Sequence, residues 1–128
     1  MISRFYGSYV YHFEDNAIFK TNAEDNGNSR VLYPGGSSFG PNILLKPGSY
    51  RIEIKGSGLD GAVSYCTSEV GQHQYKARKY NISTEGDQQV LSYIIENDSD
   101  ALNYEIIVQN PSSDEVRIDS IRMDQISD

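Results

Sequence analysis

Tryptophan is absent from this 128-residue chain, cysteine and histidine nearly so, and no apolar run is long. Each shortage removes a class of function. Cys66 is the only cysteine, which excludes an intrachain disulfide and the thiolate clusters of structural zinc sites. In its apolar strand it reads as a small buried hydrophobe rather than a nucleophile, and the lack of disulfides favours a reducing, cytoplasmic compartment. His12 and His73 are the only histidines, and neither has a Cys or second His at metal-ligand spacing, so no metal centre is expected. The longest apolar runs, such as Ile43 to Leu45 and Ile106 to Val108, fall far short of the roughly 20 residues of a membrane span. MISRFYGSYVYHFEDN also lacks the basic, apolar and cleavage segments of a secretory signal, so no membrane insertion is expected.

Positive charge is scarce as well. Eighteen acidic residues against 11 basic ones give a formal net charge of −7, and the densest basic cluster is the loose KARK at Lys76 to Lys79. Polyphosphates bind by releasing counterions to clustered cations, so nucleic acid and anionic membranes are poor partners, whereas a neutral ligand is indifferent to this charge. No P-loop, nucleophile elbow or dinucleotide fingerprint occurs, and GSG at Gly56 to Gly58 opens no helix that would make it a phosphate cradle. No cofactor is expected. Asp25 in EDNGNS lacks the spaced ligands of a calcium loop and reads as an Asx turn. Glu53 and Glu105 read as carboxylates on a solvated face.

What remains suffices for one folded domain, residues 1–128, with 38 % hydrophobic and 23 % charged residues. Its pattern is that of short strands. Tyr50, Ile52 and Ile54 alternate with Arg51, Glu53 and Lys55 between the turns KPG and GSG, the mark of a half-buried strand. Gly48 is expected at the reversal before Ser49 with positive φ. Further strands are expected at Ile43 to Leu45, Ala62 to Thr67, Val90 to Ile95, Leu102 to Gln109 and Val116 to Met123. In the last, Val116 and Ile118 have one parity, Ile121 and Met123 the other, which calls for a bulge near Asp119 and Ser120. Phe5, Tyr9, Tyr11 and Phe13 share a face of an N-terminal strand. No helical repeat competes, so the fold class is all-β, an antiparallel β-sandwich of jelly-roll type.

The chain is rich in aromatics of one kind, with ten Tyr and four Phe. A sugar ring has an apolar C–H face and a hydroxylated rim, which suits an aromatic ring beside polar side chains. GQHQYKARKYN, Gly71 to Asn81, has this mixture, and His73, Tyr75, Arg78 and Tyr80 are its candidate ligand-binding residues. The alternative reading makes Tyr75 and Tyr80 ordinary sheet tyrosines.

FKTN (Phe19 to Asn22), GPN (Gly40 to Asn42), LKPGSYRIEI (Leu45 to Ile54) and VRIDSIRM (Val116 to Met123), in that order, resemble small bacterial β-sandwich modules of carbohydrate-binding type. Such modules occur attached to glycosyltransferases and transporters that build surface polysaccharides. The resemblance implies a jelly-roll sandwich that binds a glycan or polysaccharide without catalysis, beside an attached polysaccharide-assembly enzyme. It assigns no binding residue, and Asn42 stands where an aromatic often follows the Gly-Pro pair. Two rivals stay open: a structural protein forming a homo-oligomer through its aromatic strands, and a small sugar-modifying enzyme with His12 or His73 as base.

Overall fold

The computed structural model describes residues 8–11 and 18–127, with side chains from 18 to 126. Eleven strands carry the fold: β1 (Ser8–Tyr11), β2 (Phe19–Asn26), β3 (Ser29–Phe39), β4 (Pro41–Leu45), β5 (Gly48–Ser57), β6 (Val63–Ser68), β7 (His73–Gln74), β8 (Arg78–Glu85), β9 (Gln88–Asn97), β10 (Ala101–Gln109) and β11 (Val116–Ser127). Among the described residues a single 3-10 turn, Leu59–Gly61, interrupts them. All pairings are antiparallel, and they make the jelly-roll sandwich that the alternation and the resemblance imply. One layer runs β11-β5-β9-β8, with β1 on the free edge of β11; the other runs β7-β6-β10, with β4 and the end of β3 sharing the next edge and β2 outside β3.

The long strand β3 joins the two layers. Arg30 to Leu32 pair with β11, whereas Ser37 and Ser38 pair with β10. Between them, Pro34-Gly35-Gly36 makes the corner. Gly35 has φ +84, and a Cβ on Gly36 would overlap the carbonyl oxygen of Asn22, so neither position tolerates a side chain. Asn110 fastens the corner from the opposite strand end: its carbonyl accepts from Gly35 N at 2.8 Å, and its own N–H donates to Gly36 O at 2.9 Å.

The core lies where the alternation places it. Tyr50, Ile52 and Ile54 are fully buried, as are Leu91 and Ile95 beside them. Facing them from the other layer are Tyr104, Ile106, Val108 and Cys66. In β11, Val116, Ile118, Ile121 and Met123 are all buried despite their opposite parities. The register explains how: Ile118 faces Gly56 and Ser120 faces Lys55, so Asp119 is the extra residue of a bulge. Four donors hold its carboxylate: Ser29 Oγ, Gln88 Nε2, and Nε and Nη2 of Arg117.

Gly48 has the expected positive φ, +151, but it begins β5 itself, opposite Asn97. Asp25 is not a turn residue. The β2–β3 reversal falls on Gly27 and Asn28, and Asp25 sits in β2 with its carboxylate on the buried guanidinium of Arg30, at 2.6 and 3.1 Å. That guanidinium holds the Asp25 carboxyl below its usual range. The aromatic face read at Phe5 to Phe13 lies outside the described side chains; the backbone of β1 pairs with Ile121 to Asp124.

Candidate functional site

The residues nominated in GQHQYKARKYN separate into two places. His73 is exposed on the two-residue strand β7, and its ring meets that of Tyr75 edge-on at 4.6 Å. Tyr75 itself is 4 % exposed. After β7 the chain turns inward, Tyr75 N donating to Cys66 O at 3.0 Å, and the ring packs at 71° against Tyr104. Its hydroxyl lies 3.1 Å from Ser68 Oγ and 3.0 Å from Asn97 Oδ1. Tyr75 therefore presents no stacking face at the surface; it is a core tyrosine with a satisfied polar tip.

Beside this pair opens a cleft of about 290 Å³ between the turn after β6 and the loop after β9, lined by Glu69, His73, Tyr75, Glu96, Asn97 and Asp98 among others. Arg78 stands at its rim, with Nη2 2.7 Å from Glu96 Oε1. Tyr80 lies apart on the flank. It stacks on Tyr93 at 5.5 Å and 16°, and its hydroxyl accepts from Ser64 N at 3.3 Å. His12 lies outside the described residues. Cys66 is buried beneath this region against the hydroxyls of Tyr93 and Tyr104, and burial pushes its thiol up to about 11, so it is no nucleophile at neutral pH. Among the described residues no three His, Cys, Asp or Glu side chains are grouped to hold a metal.

The two outward faces of the sandwich differ in kind. Over β11, β5, β9 and β8 the surface is a lattice of ion pairs: Arg122 with Asp124, Lys55 with Glu53 and Glu85, Arg78 with Glu96. The outward face of β2, β3, β10 and β6 is instead apolar along its middle. Phe19 is opposite Phe39, with rings stacked at 5.8 Å. Because Ser37 is opposite Gln109, Phe39 comes level with Ile107, and Ile107 is opposite Tyr65. A row of Phe19, Phe39, Ile107 and Tyr65 thus crosses four strands, about 14 Å at the usual strand spacing. Thr21, Ser37 and Gln109 run along one side of it, Glu105, Thr67 and Gln74 along the other. Phe19 is 44 % exposed and the other three half-buried.

Nothing in the sequence pattern singles out this face at first sight, although a signal is present. Tyr65 and Ile107 occupy the parity that their strands turn away from the core, where a solvated sheet would carry polar residues. Glu105 is half-buried rather than freely solvated, and burial raises its carboxyl above the ordinary value against a hydrogen bond from Asn42.

By sequence the chain matches no family model and no curated protein. By structure it is similar to the crystal structure of the C-terminal CBM6 of LamC, a marine laminarinase from Zobellia galactanivorans, with a TM-score of 0.65 and 17 % sequence identity over 92 % of this chain and 99 % of that one. The sandwich therefore has the same fold as that module.

Proposed function

We propose that this chain is a non-catalytic glycan-binding module whose ligand lies along the outward face of β2, β3, β10 and β6. The observation that carries the reading is the row Phe19, Phe39, Ile107 and Tyr65 with hydroxyl and amide groups on both sides. Such a surface meets both halves of a pyranose: ring faces stack on the apolar strip, and equatorial hydroxyls reach the flanking side chains. Its fold is that of a CBM6, which supports the reading by analogy. The row is extended across four strands, which suits a polysaccharide segment. Tethering to a polysaccharide-assembly enzyme would let weak binding hold the polymer close to that partner.

The test is a glycan array with the purified chain, followed by titration with the best glycan. Phe39→Ala and Tyr65→Ala should each weaken binding about tenfold, since a lost stacking contact of about 0.5 to 1.5 kcal/mol adds to lost contact area. Tyr80→Ala and His73→Ala, away from the face, should change it little. The reverse order would return the site to GQHQYKARKYN. Should no glycan bind while light scattering shows a stable oligomer, the row is an interface between copies, as the aromatic enrichment of interface cores allows.

A further inference from the structure

We infer that Glu105, with Asn42 and Thr67 beside it, forms the specificity corner of this face, where its carboxylate accepts hydrogen bonds from adjacent hydroxyls of a sugar seated on Ile107 and Tyr65. The inference rests on the proposed glycan site and adds which groups select the sugar. Glu105 and Thr67 are direct cross-strand partners, and Ile107 and Tyr65 form the next pair along the same ladder and the same face. Gln74 continues the polar line on the other side of Thr67.

Two features of the corner have no structural explanation within the fold. Glu105 is half-buried, and among the described residues no Lys or Arg forms an ion pair with it; its side-chain partner is the neutral amide of Asn42. The carboxylates of the opposite face are paired differently: half-buried Glu53 and Asp124 and exposed Glu96 all lie beside cations. An ionised carboxylate offers about four acceptor sites. The amide of Asn42 uses at most two of them, leaving capacity directed at whatever lies on the face.

Thr67 is the second feature. It is 5 % exposed, and its Oγ1 has no hydrogen-bond partner among the described residues. A buried hydroxyl without a partner destabilises a fold, and such groups are rare enough in native proteins to call for a bound water or ligand. Valine would fill the same volume without that cost. Thr67 Oγ1 is sealed from solvent on the unliganded face, so a ligand hydroxyl satisfies it by displacing the side chains that cover it, while its neighbour bonds Glu105. Charge-assisted hydrogen bonds of this kind are roughly twice as strong as neutral ones, and a site built around them rejects analogues lacking the hydroxyl. The ligand class is thus a glycan with two adjacent free hydroxyls, and uronate-bearing chains are repelled by Glu105.

Titration calorimetry with neutral glucan, mannan, galactan and xylan hexasaccharides and a polygalacturonate hexasaccharide tests this. The proteins are the wild type, Phe39→Ala, Glu105→Gln and Thr67→Val, each checked by circular dichroism. Expected for the best neutral hexasaccharide is a loss of about tenfold or more in Glu105→Gln, which keeps the shape but removes the charge and one of the two acceptor oxygens. Thr67→Val should melt higher than the wild type yet bind severalfold more weakly, a combination that a purely structural threonine would not produce. The polygalacturonate chain should bind the wild type no better than Glu105→Gln. If Phe39→Ala loses affinity while Glu105→Gln and Thr67→Val keep it, the corner is overturned and the glycan face stands. If the wild type binds no hexasaccharide, or Phe39→Ala and Glu105→Gln both bind like the wild type, the glycan face falls and the corner with it.

Discussion

Alanine at Gly56 tests the bulge that organises β11. With Asp119 as the extra residue, the backbone of Arg117 and Ile118 lies directly on Gly56. A Cβ there would overlap the carbonyl oxygen of Arg117 and stand 2.9 Å from its carbonyl carbon and 3.1 Å from Ile118 Cα. These are main-chain atoms of a paired strand and cannot rotate away, so the two central strands must separate. Overpacking usually costs about 1 to 3 kcal/mol when side chains can adjust. With backbone on both sides, the upper end, about 3 kcal/mol, is expected, against a domain stability of about 5 to 15 kcal/mol. Gly86 in the β8–β9 hairpin is the control. It has φ +63, and a methyl group there would meet no atom within 4 Å, so Gly86→Ala incurs only the left-handed backbone penalty of about 1 to 2 kcal/mol. Urea unfolding monitored by circular dichroism should give Gly56→Ala the lower midpoint at an unchanged slope. If Gly56→Ala were no more costly than Gly86→Ala, β11 would not approach Gly56 as described, and the bulge would be lost as the reason both parities are buried.

Two further predictions follow from burial. Ile52 is fully buried between Tyr93 and Met123 on neighbouring strands, so Ile52→Ala should cost about 2 to 5 kcal/mol, whereas Arg51→Ala on the outward face should be nearly silent by thermal melting. Reversed costs would invert the face assignment of β5. Cys66 is fully buried with its thiol pushed up to about 11, so at pH 8 it should react with a thiol reagent only in denaturant. Rapid labelling of the folded protein would mean that the Tyr93–Tyr104 cover opens.

Strand positions and the bulge are legible because they depend on parity, and parity is written in the order of residues. Val116, Ile118, Ile121 and Met123 cannot all face one core on a regular strand, so the sequence itself demands an extra residue near Asp119, and the register has it there. Asp25 misleads for the opposite reason. Its neighbours Asn26, Gly27 and Asn28 carry the turn chemistry, but its actual partner, Arg30, is fixed by cross-strand register two residues beyond the turn. An arginine in a short polar stretch gives no hint that it will be 1 % exposed.

The proposed site is less legible than the fold because its face is made by strands far apart in the chain. Phe19, Phe39, Tyr65 and Ile107 come from four segments and are level only through three ladders whose registers are set by the whole sandwich. A contiguous run such as GQHQYKARKYN attracts notice for its composition, yet its tyrosines alternate in no simple way. Tyr75 falls in the turn between β7 and β8, where the chain dips into the core, and Tyr80 follows the irregularity after Arg78 that tips it onto Tyr93. The telling sequence signal is weaker and more general: apolar residues on the wrong parity. Each strand of one layer buries its inward parity, so an outward Tyr65 and Ile107 exceed what the core requires. Surplus apolar surface has to be justified outside the fold, by a ligand or a partner. On the opposite layer the outward parity of β5 is Arg51, Glu53 and Lys55, and the apolar Val90 and Ile94 that face Lys55 and Arg51 from β9 lie among these charges instead of forming a row. Comparing the two outward parities therefore points to the proposed site by difference, where neither composition nor any single motif does.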